Sequence, residues 1–290
     1  MNIYDEKGYL ELLKTTLKYG TNKKTRNGNT ISFFSFLLKF HMDNNKYPLL
    51  TTKKTFFKGI VEELLWFLRG STNSKELEEK GINIWKGNSS REFLDSVGLS
   101  HYEEGYLGPI YGYQWRSFNG TIDQLKYLLE ELSSSANMNS RRCLISAWNP
   151  CQLKEQALPP CHILYNFNIN DKKLNCMMYM RSSDLFLGLP FNIASTALFA
   201  TIIAKVMGMD VGEIAISICD CHIYEEHLPQ VKEQLSRENE IYESPKIFIN
   251  KPIDINISID EKIKWIEELK YEDFILENYK CHPTIKAVMK

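Results

Sequence analysis

The chain has 290 residues, 43% hydrophobic and 24% charged, enough to bury a sizeable core and ordinary for a globular protein. Its formal net charge of −1 excludes a broad electrostatic footprint for nucleic acid or an anionic membrane and leaves room only for local cationic pockets.

The N-terminal residues lack a basic segment followed by an apolar one, so no secretory leader is expected. Residues 9–19 carry Leu10, Leu13 and Leu17 on one helical face, with Gly20 placed for a left-handed cap. Residues 20–29 are turn-rich and put Arg26 on a mobile loop. Residues 31–40 are aromatic and β-branched enough for one long strand or a strand pair. Residues 55–69 form a broadly apolar, largely buried helix. Glu62 and Glu63 lie about 100° apart on it, so only one can readily face solvent if the other points inward. An inward carboxylate is a general acid/base candidate with a raised pKa.

A short polar helix starts at residues 71–74, and Lys86-Gly87-Asn88 makes a turn after Trp85, a residue suited to core packing or to walling a flat ligand. Residues 105–114 read as a glycine-rich loop, 122–132 as an amphipathic helix, and 133–140 as its end. Arg141-Arg142 precedes a strand at 143–148, and guanidinium forks suit phosphate. Strands at 163–169 and 174–182 flank a hairpin turn at 170–173. An apolar run at 193–207, broken by Ser195, Thr196, Thr201 and Lys205, is too short to span a bilayer. Ile214, Ile216 and Ile218 alternate in a further strand. Residues 226–235 read as helix, 246–250 as strand and 259–269 as a charged surface helix. With no repeats or linker-like shifts, the expectation is one α+β domain spanning residues 1–290.

Seven scattered cysteines, an odd number, suit a reducing compartment better than a disulfide framework. Cys219-x-Cys221-His222 lacks the second ligand pair of a zinc site, and no metal is expected. The stretch 157–207 is different in kind. Cys161 follows two prolines and precedes a strand, so its thiol is held on rigid backbone. Cationic neighbours would be needed to make it a nucleophile. Two chemistries stay open: a hydrolase pairing Cys161 with His222, or addition of a thiolate to an electron-poor ring with a carboxylate managing protons.

Several segments together resemble the thymidylate synthase family from about Tyr9 to Ile285. They are Pro48-Leu49-Leu50-Thr51-Thr52-Lys53-Lys54, Glu62-Glu63-Leu64-Leu65-Trp66-Phe67, Leu107-Gly108-Pro109-Ile110-Tyr111-Gly112, Ser140-Arg141-Arg142, residues 157–162, Arg181-Ser182-Ser183-Asp184, residues 188–195, Asp220-x-His222-Ile223-Tyr224 and His282-Pro283-Thr284-Ile285-Lys286. Residues 88–105 are closer to the eukaryotic form. The resemblance implies a large mixed β-sheet packed by helices, with a sheet face forming an obligate homodimer interface in a cytoplasmic enzyme. The implied reaction is reductive methylation of dUMP to dTMP, with 5,10-methylenetetrahydrofolate as donor of both the one-carbon unit and the hydride.

By the same resemblance, Cys161 adds to uracil C6, Glu63 is the general acid/base, Tyr111 and His162 line the pyrimidine pocket, and Asn192 complements uracil O4 and N3–H. Arg26, Arg181 and Ser182 match the phosphate set, with Arg141 and Arg142 reaching the partner subunit's site. His222 and Tyr224 match ribose contacts. Trp85, Asn88, Asp184, Leu187, Gly188 and Phe191 resemble the folate side. Buried polar groups left unmatched cost roughly 1–3 kcal/mol each, so Asn192 points to uracil over cytosine.

Departures from the family pattern are Met180 for glutamine, Lys86 for an acid, Cys219 and Ser35 for glycines, Thr196 for tyrosine, a loop reduced to Asn27-Gly28-Asn29-Thr30, and a tail shorter by one residue that ends at Lys290. None removes a named catalytic atom. Related readings are a pyrimidine nucleotide hydroxymethylase, or a catalytically impaired homologue retained for binding nucleotide or RNA. The neutral charge and intact catalytic set oppose the last. No reductase domain is expected within these residues.

Overall fold

Period-two apolar alternation becomes long strands in the computed structural model, which describes residues 4–133 and 140–289. The described residues form two compact units. One comprises Met1–Phe56, Phe167–Asn250 and Phe274–Lys290; the other comprises Phe57–Asn166 and Lys251–Asp273. A large mixed sheet runs in the order β1-β2-β6-β5-β4-β3, from β1 (Thr21–Thr25), β2 (Gly28–His41), β3 (Leu144–Ser146), β4 (His162–Asn170), β5 (Lys173–Asp184) and β6 (Asp210–Tyr224).

In the first unit β5 and β6 are parallel, and the chain between them forms helix α7 (Gly188–Met207), the crossover that a parallel pair requires. Leu174, Cys176, Met178 and Met180 of β5 and Ile214, Ile216 and Ile218 of β6 are buried on the face that α7 covers. Met180, polar in the family, is therefore an apolar core residue at 1% exposure. Helix α7 is 20 residues long and apolar enough to cross a membrane by length and composition. The helix begins before the 193–207 run, at Gly188. What marks α7 as a core helix is its burial: Ile193, Leu198, Phe199, Ile202 and Ile203 have no exposed surface.

The opposite sheet face carries exposed apolar side chains. Register aligns Leu37 of β2, Ser217 of β6 and Tyr179 of β5 in one row, and Lys39, Ala215 and Met177 in the next. Leu37 is 50%, Met177 44% and Phe34 78% exposed.

The stretch around Arg26 is not a loop but a tight hairpin, with β1 paired to β2 from Thr21↔Ser32 to Thr25↔Gly28. Helix α1 (Asp5–Tyr19) ends at Gly20, which is extended (φ −70) rather than left-handed. The glycine is required by crowding, since a Cβ there would meet Thr16 O at 2.4 Å and Ile31 Cγ2 at 2.6 Å. The buried Glu6 carboxylate accepts the N–H and hydroxyl of both Thr51 and Thr52. Gln234 and Arg237 of the segment containing α8 (Leu228–Ser236) bond Thr52, and His282 N–H donates to Thr51 O. The Thr51-Thr52 turn thus joins the chain's two terminal segments.

In the second unit α2 (Phe57–Leu68) is buried almost all round. The other helices here are α3 (Lys75–Glu78), α4 (Arg91–Ser96), α5 (Tyr111–Ser117), α6 (Gln124–Ser133) and α9 (Ile259–Glu267). The glycine-rich loop of the sequence reading is shorter than expected, because α5 begins within it at Tyr111. Gly112 lets α5 approach α2, since a Cβ would stand 2.5 Å from Phe67 O. Arg116 binds Leu68 O, Asp123 and Glu267, tying α2, α5 and α9 together. Helix α9 is less superficial than its charge suggests, with Ile263, Trp265 and Ile266 buried. β3 pairs antiparallel with β4, Ile145 opposite Tyr165. A short ribbon of β7 (Lys246–Ile249) and β8 (Phe274–Glu277) belongs to the first unit. The expected end of α6 at 134–139 and the terminal Lys290 lie outside the described residues.

Ser35 has φ 63, left-handed for a non-glycine inside a strand, and sits opposite Cys219 between the pairs Phe34↔Asp220 and Phe36↔Ile218. Left-handed backbone costs an L-residue roughly 1–2 kcal/mol. Ser35→Gly should raise the unfolding free energy by about 1 kcal/mol in urea titration; a loss of stability would show that the serine hydroxyl outweighs the strain.

Candidate active site

The second unit gathers one set of the expected residues. Glu63, on α2, accepts a hydrogen bond from Trp85 Nε1 at 2.8 Å. Part of the Glu63 surface is open, yet the protein around its carboxyl pushes the pKa up to about 7, with the Trp85 bond opposing the shift. The adjacent Glu62 is also covered, at 6% exposure, and is neutralised by Lys80 Nζ at 2.6 Å. The expectation that one of the pair faces solvent therefore fails, because a lysine from the next segment caps the other.

Cys161 is half-buried and leads into β4. Its backbone N–H donates to Tyr111 Oη at 2.7 Å, so the first residue of α5 fixes the cysteine's main chain. His162 stacks close to Tyr111, ring centroids 4.3 Å apart, and is surrounded by Phe67, Trp115 and Tyr165. Burial pushes the imidazole down to about 3, so this ring is neutral at physiological pH. Trp85 in turn contacts Tyr111 edge-on at 5.8 Å. Glu63, Trp85, Tyr111, His162 and Cys161 are thereby linked through one aromatic wall. Asn88 is half-exposed in the turn beyond Trp85. Arg141 and Arg142 are exposed at the entry to β3, Arg142 lying 3.6 Å from Glu131.

The first unit gathers the other set on β5, β6 and the start of α7. Parallel register places Ser182 beside Asp220 and Asp184 beside His222. Ser182 Oγ and His222 Nδ1 are 3.4 Å apart, and His222 Nδ1 is 3.4 Å from Asp220 Oδ2. Asp220 also receives Ser32 Oγ and Lys23 Nζ. The His222 hydrogen bond, with those from Ser32 and Lys23, holds the Asp220 carboxyl well below the usual carboxylate range. Asp220 and Lys23 carry no role in the sequence reading. The i, i+2, i+4 spacing of Asp220, His222 and Tyr224 on one strand was the available signal.

Arg181, half-buried, precedes Ser182, and Tyr224 packs against His222 at 5.3 Å. Arg26 is exposed at the hairpin turn, where its Nε donates to Asn27. Asp184 Oδ1 accepts the Phe186 N–H at 2.9 Å, opening the turn into α7. The buried Lys53, also given no role by sequence, donates to Phe186 O and lies 3.5 Å over the Phe186 ring. Burial brings its ammonium down to about 7.

Gly188 needs no special backbone here, and a Cβ would meet only Asp184 Cβ at 3.8 Å and Asn192 Oδ1 at 4.0 Å. Its missing side chain leaves open a cradle between an acid and an amide, flanked by half-exposed Leu187 and Phe191. That donor and shape set fits the edge of a flat heterocycle. Among the described residues no three His, Cys, Asp or Glu side chains converge as a metal site would require.

The sequence profile described as Thymidylate synthase matches residues 7–290. The chain belongs to the thymidylate synthase family. It is 42% identical over 299 residues to the human thymidylate synthase, covering 99% of this chain and 91% of that protein. Similarity to the Encephalitozoon cuniculi protein named thymidylate synthase 1/2 is also 42%, over 99% and 97% of the two chains. A bifunctional dihydrofolate reductase-thymidylate synthase of Leishmania amazonensis is 42% identical as well, but this chain spans only 55% of its length.

In the unfolded chain Glu63 ionises near 4.5, whereas the folded protein keeps its proton up to about 7. Folded protein binds the extra proton in that window, so stability falls as pH rises through it. Glu63→Gln should match the parent below pH 4.5 and exceed it by up to about 3 kcal/mol above pH 7. Denaturant titrations across pH check this; a constant difference would show that Glu63 has an ordinary carboxyl.

Proposed function

We propose that the protein is a thymidylate synthase, converting dUMP to dTMP with 5,10-methylenetetrahydrofolate. The observation that carries this reading is the rigid linkage of a half-buried cysteine, through Tyr111, His162 and Trp85, to a carboxyl poised near neutral pH. A hydrolase would need a base beside the thiol that takes up a proton near neutral pH, and the adjacent His162, pushed down to about 3 by burial, is too weak a base for that.

In this reading the Cys161 thiolate forms a bond to uracil C6, and the ring π electrons move to C5 and O4. Glu63, with its pKa near 7, can release and recover a proton at neutral pH, as general acid/base work requires. The folate supplies the one-carbon unit that becomes bonded to C5 and the hydride that reduces it to methyl, and it leaves as dihydrofolate. The C5 hydrogen leaves as a proton, and departure of the Cys161 thiolate from C6 restores the ring double bond and the enzyme.

Arg26, Arg181 and Ser182 take the phosphate, joined by Arg141 and Arg142 from the partner subunit. Asp220 holds His222 by Nδ1, which directs Nε2 outward to the ribose, where Tyr224 also bonds. The side-chain amide of Asn192 offers a donor and an acceptor to uracil N3–H and O4. Asp184 accepts pterin N–H groups, with Trp85, Asn88, Leu187, Gly188 and Phe191 as walls. The same reading makes the protein a cytoplasmic homodimer, and the exposed row of Leu37 and Tyr179 and its neighbour Met177 is an apolar sheet face that a second copy would bury.

Two outcomes test these statements. Incubation with 5-fluoro-dUMP and methylenetetrahydrofolate should add the mass of both ligands to Cys161, and Cys161→Ser should gain none; an unmodified parent protein overturns the reading. Leu37→Asp with Tyr179→Asp should convert a dimer to a folded monomer in sedimentation and lower dTMP formation at least 100-fold, because the partner's arginines are withdrawn. A monomeric parent protein with full activity would contradict it.

A further inference from the structure

Arg26 stands at the tip of a hairpin whose first strand buries nothing: every residue of β1 is exposed. β1 is also the edge of the sheet, joined to it by backbone pairing with β2 from Thr21↔Ser32 to Thr25↔Gly28. A ribbon held in this way frays readily, because its hydrogen bonds lie in water and no apolar contact closes over them. Two side chains tie the hairpin to β6 and to the turn beyond it, one three residues before Arg26 and one three residues after. On the β1 side, Lys23 Nζ donates to Ser32 Oγ of β2 at 2.9 Å and to Asp220 Oδ1 of β6 at 3.2 Å. Ser32 Oγ itself donates to Asp220, so one ammonium spans three strands and ends on the carboxylate that also binds His222. On the β2 side, Asn29 Nδ2 donates to Glu225 Oε2 at 3.1 Å, in the 3-10 turn Glu225–His227 that follows β6. Gly28, at φ 135, closes the turn in a conformation that a side chain would resist.

We propose that Lys23 and Asn29 are positioning residues that brace the hairpin from both strands and present Arg26 to phosphate in a preset place. This rests on the assignment of Arg26 to the phosphate set. The Arg26 Nε bonds Asn27 within the same turn, so the guanidinium goes where the turn goes. A hairpin pinned on one strand can still swing about it, and pinning on both removes that freedom. Order that would otherwise be imposed when the nucleotide binds is then already present in the folded chain, which is the gain from preorganisation. Lys23 also ends on Asp220, which holds His222, so the phosphate and ribose contacts share one frame. The lysine pair is exposed enough, at 53% and 35%, to be weak alone. The brace therefore depends on both tethers acting together.

The test compares the native protein with Lys23→Met, Asn29→Ala, the double variant, Lys23→Arg, Lys24→Met and Arg26→Ala. In unliganded protein, amide hydrogen exchange of residues 21–32 should speed about threefold in each single brace variant and about tenfold in the double, with Lys23→Arg returning towards native. KM for dUMP should rise about tenfold in the double variant, while kcat and the KM for methylenetetrahydrofolate stay within about twofold. Lys24→Met removes the neighbouring charge but no tether, so its dUMP KM should stay within about twofold of native. In an Arg26→Ala background the double variant should add less than about twofold, because no guanidinium is left to place. Unchanged exchange of residues 21–32, an equal KM rise in Lys24→Met, or losses that add fully to that of Arg26→Ala overturns the brace. Should the double variant fail to fold, Lys23→Met decides alone: native exchange in residues 21–32 refutes the brace. Arg26→Ala with a native dUMP KM refutes the phosphate assignment instead, and the exchange measurement still judges the two tethers.

Discussion

The clustered polar residues of the first unit depend on the register between β5 and β6. Because these strands run parallel, Ser182 falls beside Asp220 and Asp184 beside His222, and Ser182 Oγ comes within hydrogen-bonding reach of both Asp220 and His222. Shifting one strand by a single residue would turn these side chains to the opposite face and expose the isoleucines of β6. The register is therefore enforced by the core that α7 covers, where Met178, Met180, Ile216 and Ile218 are packed without exposure of more than 1%. Burial of apolar surface and placement of the polar site are one constraint acting along the same pair of strands.

In the second unit an aromatic cluster does comparable work. Phe67, Trp85, Tyr111, Trp115, His162 and Tyr165 lie in successive ring contacts. Their low-polarity surroundings account for two opposite shifts: the Glu63 carboxyl keeps its proton to about 7 and the His162 ring loses its proton by about 3. Both groups are thus biased to the neutral form by one cause, desolvation. The cluster fixes the backbone of Cys161 through the Tyr111 hydroxyl and sets the acid–base range of Glu63, which are separate requirements of nucleophilic addition to a ring.

Much of this was legible in the amino-acid order. The strands corresponding to β2 and β5, the alternation in β6, the apolar character of α7, and the Pro-Pro-Cys step before β4 all read directly. β1 did not, since Thr21-Asn22-Lys23-Lys24-Thr25 is wholly exposed and is a strand only because β2 pairs with its backbone. Likewise α5 was hidden by the glycines that let it lie against α2. Glu63 was ambiguous from helical periodicity alone. The family motif favoured it, but that Glu62 would be buried too depended on Lys80. Asp220 and Lys53 escaped notice for a shared reason. Their surroundings come from partners distant in sequence, and only the folded chain puts Ser32 or Phe186 beside them.

The departures from the family pattern have separate physical consequences. Met180 joins the hydrophobic layer under α7, so its sulfur replaces a polar group without leaving a buried demand unmet. Ser35 and Cys219 face each other across β2 and β6, where the serine carries a left-handed backbone. Nothing in the structure explains Lys86. The central claim is that the retained residues still perform reductive methylation, and it is tested most directly by mixing the purified protein with dUMP and methylenetetrahydrofolate. The account predicts dTMP and dihydrofolate in equal amounts; a 5-hydroxymethyl pyrimidine without dihydrofolate, or no turnover at all, would contradict it.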